Sequence, residues 1–375
     1  MLSKRRPTLL LVLTACLAGT SCGKTHAHPQ MDSSALLQIV RGYNPNSHAG
    51  TVMAAPRPVE PPMVSPQNLQ TELEYQSPIK QYFSEGNYDQ LEKTIKEARE
   101  GKGRVLGGSW KVLEFYFAIH ETFLGANPDE SDWKMFFDSL NKWIAAKPES
   151  AAARISLAQA YMGYAWRARG NGYASSVTDR GWDLFRERVG LATSTLAEAA
   201  HLKQKCPYWY EEMQTVALAQ GWDKSQTREL MEQAVAFEPD YYHFYREHAN
   251  SLQTKWYGDE GELESFAKEV SDRVGGPKGD ILYFEITSLK ACQCDAQKDV
   301  LQNMSWPRIK IGYAALEQMY GASSMKRNRF ASMAVKAGDK EAAREAIVAI
   351  GTEWDKDVWL SSEKFESAKN WAMSE

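Results

Sequence analysis

Residues 130–169 read ESDWKMFFDSLNKWIAAKPESAAARISLAQAYMGYAWRAR. In the first half, apolar side chains recur every three or four residues, at Trp133, Phe136, Phe137, Leu140 and Ile144. The pair Lys147-Pro148 interrupts the pattern, which then resumes at Ala152, Ile155, Ala158, Met162 and Ala165. This spacing places apolar residues on one face of a helix. The stretch therefore predicts two amphipathic helices joined by a proline-marked turn.

The same periodicity continues from about residue 67 to the C terminus, without a convincing run of alternating residues. Short turns that resemble those of tetratricopeptide repeats lie at Gly86-Asn87, Pro148, Pro239 and Gly338-Asp339. Regular repeats of this kind recur every 34 residues or so, and the spacing of Pro148 and Pro239 does not fit that period. We predict an all-α fold, an irregular tetratricopeptide-like α-solenoid that occupies residues 67–375.

Composition excludes several classes of protein. The chain has 375 residues, a formal net charge of −4 and 25% charged residues, so a basic nucleic-acid binder is excluded. A mean hydropathy of −0.50 excludes a polytopic membrane protein. Five Cys in this length exclude a small disulfide-dense domain. The unusual feature is the abundance of aromatic residues, with 12 Trp and 17 Tyr.

The N terminus resembles a bacterial lipoprotein signal. Residues 1–15 combine the basic stretch Lys4-Arg5-Arg6 with a short apolar run, which is typical of a signal peptide. The tetrapeptide 13–16, LTAC, resembles a lipobox, so we expect lipidation of Cys16 and a location in the bacterial cell envelope, at the outer membrane or in the periplasm. Two alternatives stay open, which are modification of Cys22 and plain secretion after cleavage near Ala27.

Residues 16–66 are rich in proline, which lacks a backbone N–H and fixes φ. We predict a disordered tether here, either lipid-anchored or free. Within it, Asp32 precedes the apolar run 35–40 and predicts a capped short helix. We interpret this helix as transient rather than as a partner-binding peptide.

Residues 161–186 combine aromatic side chains and arginines in a short span, interrupted by Gly170-Asn171-Gly172. Arginine offers a bidentate fork and tryptophan offers stacking area, as a peptide or carboxylate ligand requires. The candidate ligand-binding residues, including aromatics further along the chain, are Trp166, Arg167, Arg169, Tyr173, Arg180, Trp182, Trp209, Trp256 and Tyr257. The alternative is that the tryptophans pack between helices and the arginines pair with nearby acids.

Three cysteines lie in the helical body. Cys206 could form a disulfide with Cys292 or Cys294, since exported proteins can oxidise their thiols. Free or buried thiols are the alternative. A metal site is a third alternative, but no His lies at ligand spacing to the Cys-x-Cys pair.

No catalytic motif, metal site or cofactor site is predicted. His120-Glu121 lacks the second His of a zinc protease motif, and His243 and His248 are five residues apart and so do not share a helix face. We therefore expect a non-enzymatic protein that binds a protein or peptide of the envelope in an aromatic and arginine-lined groove. A cell-envelope hydrolase with an unrecognised active site and a purely structural helical module are the alternatives.

Several stretches resemble one uncharacterised bacterial family. They are AWRARGNGYA at 165–174, CPYWY at 206–210, QGW at 220–222, KWYG at 255–258 and SWKVLEFY at 109–116. The family is domain of unknown function 4034, and the resemblance covers roughly residues 75–360. It implies a tetratricopeptide-like helical fold and no activity, since none is assigned to the family.

Overall fold

The structure is a computed structural model that describes residues 32–44, 65–125, 127–170, 172–291 and 301–374. Among the residues that the structure describes, 75% are helical and none lies in a β-strand. The predicted all-α class is confirmed. None of the described helices combines the length and apolar character that a bilayer crossing needs.

The chain divides into two compact units rather than the single helical domain that we predicted over 67–375. Unit 1 contains the described residues of 32–44, 72–103 and 110–248, and unit 2 contains those of 65–71, 104–109 and 249–374.

The helices of unit 1 are α1 (Ser33–Tyr43), α2 (Glu72–Ser84), α3 (Tyr88–Gly101), α4 (Lys111–Glu121), α5 (Glu130–Ala146), α6 (Ala151–Arg169), α7 (Asp179–His201), α8 (Pro207–Gln220) and α9 (Lys224–Phe237). Helix α10 (His243–Ser251) begins in unit 1 and ends in unit 2. Unit 2 continues with α11 (Glu262–Val274), α12 (Gly276–Thr287), α13 (Trp306–Tyr320), α14 (Ser324–Ala337), α15 (Lys340–Ile350), α16 (Lys356–Trp359) and α17 (Ser362–Met373).

Helix boundaries fall at the turns that the sequence predicts. Asn87, Ser150 and Asp339 each accept a hydrogen bond from a backbone N–H in the first turn of the following helix. Gly338 ends α14 in the left-handed conformation, at φ 70°, which favours glycine. Within each unit, helices that are neighbours in sequence pack together, as α5, α6 and α7 do in unit 1 and α11, α12 and α13 do in unit 2. This packing is solenoid-like.

Helix α1 corrects the prediction of a tether over residues 16–66. It begins at the predicted cap Asp32, but it packs against α7 and α9 instead of being transient. Its buried side chains are Leu36, Leu37, Val40 and Tyr43, which lie on one helix face. The proline-rich flanks obscured this signal, because an isolated helix of this length is marginal until its apolar face finds a partner.

Candidate functional site

Trp166, Arg169 and Trp182, which we call the arginine–tryptophan cluster, form a closed arrangement at the end of α6. The Arg169 guanidinium lies 5.8 Å from the Trp166 ring and 5.5 Å from the Trp182 ring. It donates hydrogen bonds to the carbonyls of Gly170 at 3.1 Å and Gly172 at 3.2 Å. A cation at a helix C terminus also interacts favourably with the helix dipole. Arg169 therefore stabilises the turn that follows α6.

This cluster is largely inaccessible to a ligand. Trp166 is 5% exposed and packs edge-on against Phe185, with the ring centroids 4.8 Å apart. Arg169 is 6% exposed. Only Trp182 is half-buried. Their surroundings already enclose Trp166 and Arg169, which favours the alternative that they have a structural role, and ligand binding by these two residues stays a prediction.

Trp209 is fully buried, and the prediction that it lines a binding groove is wrong. Its ring stacks on that of Tyr43, with the centroids 3.9 Å apart, and its indole N–H donates to the Leu196 carbonyl at 2.9 Å. These contacts attach α1 and α8 to the core of unit 1. The aromatic excess thus contributes to helix packing.

The remaining predicted ligand residues are accessible to different degrees. In unit 1, Arg167 and Arg180 are exposed and Tyr173 is 47% exposed. Arg167 forms an ion pair with Glu130 at 3.5 Å. In unit 2, Trp256 is half-buried and Tyr257 is 47% exposed. Their role in ligand binding stays a prediction.

A half-buried aromatic surface lies beside Arg167, and we call it the outer aromatic strip. Its rings are Phe137 on α5 and Tyr161 and Tyr164 on α6. Phe137 stacks on Tyr161, with the centroids 4.9 Å apart, and contacts Tyr164 at 5.5 Å. Burial raises the pKa of both tyrosines, so their hydroxyls remain neutral donors.

Arg188 of α7 extends this strip. Its guanidinium carbon lies 3.2 Å from the centroid of the Tyr164 ring, and it donates to the Tyr164 carbonyl at 2.6 Å. Burial lowers the pKa of Arg188, although an arginine remains charged. The strip therefore combines partly exposed rings with a fixed positive charge.

Cys206 is a buried free thiol whose sulfur accepts a hydrogen bond from the Tyr116 hydroxyl at 3.4 Å. Burial raises the pKa of the thiol, so it is a poor nucleophile. The other candidates for its predicted disulfide, Cys292 and Cys294, lie outside the described residues, as do Cys16 and Cys22.

A second polar site, which the sequence analysis missed, lies between α8 and α10 in unit 1. We call Glu211, Glu212, His243 and Glu247 the acidic cluster. Helix α8 is buried on several sides, at Tyr208, Trp209, Tyr210, Met213 and Val216, so its carboxylates remain inside the unit. Glu211 is 6% exposed and Glu212 is 5% exposed.

Tyrosine hydroxyls hold both carboxylates. The Tyr241 hydroxyl donates to Glu211 Oε2 at 2.8 Å. Gln159 donates from Nε2 to the Tyr208 hydroxyl at 2.8 Å, and Tyr208 hydrogen-bonds to Glu212. Glu212 Oε2 has no hydrogen-bond partner. Burial raises the pKa of Glu212 to about 8, and the charges of Glu211 and Glu247 raise it further.

His243 and Glu247 reach the same place from α10. His243 Nδ1 lies 3.5 Å from Glu211 Oε1. One ligand atom from each of Glu211, His243 and Glu247 can be chosen so that all three lie within 4.8 Å of one another. This group could therefore hold a metal ion.

A signal for this site was present in the sequence. His243 and Glu247 are four residues apart, and residues at this spacing share a helix face. His248, five residues after His243, lies on a different face of α10 and takes no part in this group. The contribution of Glu211 requires the packing of α8 against α10, which no local pattern reveals.

No protein-family model matches the chain, and no curated protein matches it significantly.

Proposed function

We propose that the chain is a non-enzymatic lipoprotein of the bacterial cell envelope that binds a protein or peptide at the outer aromatic strip. The observation that carries this proposal is the contact of Phe137, Tyr161 and Tyr164 on a partly exposed surface, with Arg188 stacked on Tyr164. Tyrosine and arginine are enriched where interfaces derive most of their binding energy.

The proposed ligand is a peptide segment with a free carboxylate. Arg188 has guanidinium N–H groups beyond the one that donates to the Tyr164 carbonyl, and no ion pair within 4.0 Å is seen for it among the described residues. Guanidinium groups bind carboxylates with charge-assisted hydrogen bonds, while flat rings supply contact area at low entropic cost. Arg167 and Tyr173 lie on the same part of the chain and are the next candidates for contact with the ligand.

Crosslinking in intact cells tests the proposal. A photoreactive residue at Tyr161 should give a discrete adduct, identified by mass spectrometry, and Arg188→Ala should reduce its yield at least fivefold. The same probe at the exposed Lys93 on α3 is the matched control. Equal adducts at both positions, or an adduct that Arg188→Ala leaves unchanged, would contradict the proposal.

Lipid attachment has its own test, because it concerns residues outside the described ranges. We propose that Cys16 carries the lipid, and the lipobox-like tetrapeptide 13–16 supports this. Cys16→Ser should abolish labelling with a fatty-acid analogue, whereas Cys22→Ser should not. The reverse result would assign the lipid to Cys22, and no labelling in the unaltered protein would favour secretion.

A hydrolase is the second candidate function, and the acidic cluster is the observation that favours it. Its carboxylates and His243 lie within reach of one another, as general acid–base chemistry requires. Hydrolysis of a cell-wall or peptide substrate that is lost in Glu211→Gln, while the fold is kept, would support this function over binding alone.

A further inference from the structure

We propose that Glu211, His243 and Glu247 bind one divalent transition-metal ion, with Zn²⁺ as the first candidate. This site is separate from the outer aromatic strip and does not depend on the binding function proposed for that surface. It needs no residue outside unit 1.

The distances fit a metal site after a small contraction. The three ligand atoms lie within 4.8 Å of one another, and two of them, His243 Nδ1 and Glu211 Oε1, are 3.5 Å apart. Zinc bonds to nitrogen and oxygen are roughly 2.0–2.2 Å long, so tetrahedral ligands are about 3.4 Å apart. The His243–Glu211 pair already has this separation. Only a side-chain movement on α10 is required to bring in Glu247.

Glu212 provides an independent observation that points to a cation. Glu212 is only 5% exposed, yet its Oε2 accepts no hydrogen bond. Glu211 and Glu247 are the charged groups that it faces. A buried carboxylate oxygen without a partner is costly unless a charge compensates it. A cation held by Glu211, His243 and Glu247 supplies that charge, since Glu212 directly follows Glu211 in α8.

The donor atoms select the class of metal. One imidazole with two or three carboxylates suits Zn²⁺, Mn²⁺ or Fe²⁺, whereas Mg²⁺ and Ca²⁺ prefer oxygen donors alone. No thiolate takes part, because Cys206 is hydrogen-bonded to Tyr116 elsewhere in unit 1. Opposing positive charge comes from Arg246, which faces Glu247.

The surrounding hydrogen bonds orient the ligands, as outer groups do in metal sites. Tyr241 holds the Glu211 carboxylate through Oε2, which leaves Oε1 directed at His243. Tyr208, which accepts a hydrogen bond from Gln159, is the hydrogen-bond partner of Glu212. We therefore assign Tyr241 as a positioning residue for this site.

Zinc binding to the full chain tests the proposal by equilibrium dialysis with metal analysis. His26→Ala and His28→Ala are introduced throughout, so that histidines near the N terminus do not compete. One Zn²⁺ per chain is expected. His243→Ala and Glu247→Gln should each weaken binding at least tenfold, and Tyr241→Phe should weaken it about tenfold or more.

Matched controls separate the site from adventitious binding. His201→Ala removes an exposed histidine on α7 and should leave zinc affinity unchanged. Zinc should also raise the melting temperature of the unaltered chain but not that of His243→Ala, whose side chain is 23% exposed and can be truncated without loss of the core. Absence of stoichiometric zinc at about 100 μM, or equal affinity in His243→Ala, would overturn the proposal.

Discussion

The arginine–tryptophan cluster and the acidic cluster both place ionisable side chains inside unit 1, but they differ in how completely those side chains are hydrogen-bonded. The Arg169 guanidinium lies within 5.8 Å of two indole rings and donates to two backbone carbonyls. Glu212, buried to a similar degree, has a carboxylate oxygen without any hydrogen bond, and Glu211 and Glu247 face it.

This difference indicates which region is structural and which has a polar group left without a hydrogen-bond partner. A buried charge with complete partners is stable where it is and has little to offer a ligand. A buried carboxyl group with an unmet acceptor is costly in the free protein, and such groups concentrate at functional sites. We therefore interpret the arginine–tryptophan cluster as structural and the acidic cluster as the better candidate for binding a metal ion.

Trp209→Ala should have the largest effect, because it removes a fully buried indole that was a candidate ligand residue. We expect a loss of about 3–5 kcal/mol in the free energy of unfolding, from lost burial and a new cavity. Urea denaturation measures it. Tyr173→Ala, at a residue that is 47% exposed, is the aromatic control and should change stability by less than about 0.5 kcal/mol. Similar losses in both variants would contradict the structural role of Trp209.

Two histidines that lack hydrogen bonds at Nδ1 provide the next comparison. His243 faces carboxylates, whereas His120 lies among aromatic rings. The centroid of the His120 ring is 6.4 Å from that of Trp133 and 5.8 Å from that of Phe136. Burial lowers the pKa of His120 from 6.5 to about 4. Between these values, the unfolded chain takes up a proton that the folded chain does not. The contribution of His120 to the free energy of unfolding is therefore fully present above pH 6.5. It should decrease by up to about 3 kcal/mol as the pH falls to 4.

Denaturation at a series of pH values in the unaltered chain and in His120→Phe measures this contribution. The variant, which cannot take up a proton there, should lose less stability than the unaltered chain between pH 6.5 and 4. His201→Gln alters an exposed histidine and should reproduce the unaltered curve. Parallel curves for the unaltered chain and His120→Phe would mean that His120 is protonated in the fold.

Arg169→Ala tests the arginine–tryptophan cluster directly. It removes two hydrogen bonds to carbonyls and the contacts with two indole rings, so we expect a loss of about 2 kcal/mol in stability. Arg180→Ala, at an exposed residue of the same segment, should be neutral. Thermal unfolding of both variants makes the comparison. A neutral Arg169→Ala would contradict the structural role of Arg169 and favour the prediction that it contacts a ligand.

The sequence predicted the helices well because their signals are local. Periodic apolar residues, together with Asn87, Ser150 and Asp339 at helix starts, determine boundaries without reference to the rest of the fold. The prediction that helix α1 is transient failed because its apolar face is stabilised only by packing against α7 and α9.

The sites were harder to predict, since they depend on which helix faces meet. Helix α6 is buried along most of its length, from Ala151 to Ala165, so the periodicity does not distinguish an inner face for Trp166 from an outer face for Tyr161. Likewise, Glu211 and His243 lie far apart in sequence and are joined only by packing. Residue type indicates what an arginine can bind, but only the packed structure shows which arginines are exposed.

Arg167→Ala should have the smallest effect on stability and a larger one on binding. Arg167 is exposed, and its ion pair with Glu130 at 3.5 Å lies at the surface, where such pairs contribute less than about 1 kcal/mol. We therefore expect an unchanged melting temperature within about 1 °C. At the same time, loss of a guanidinium beside Tyr164 should reduce the crosslinking yield at Tyr161. If stability falls as it does in Arg169→Ala, both arginines are structural and the outer aromatic strip loses its charge-based selectivity. If stability is kept and crosslinking falls, the buried Arg169 has a structural role and the exposed Arg167 contributes to ligand binding.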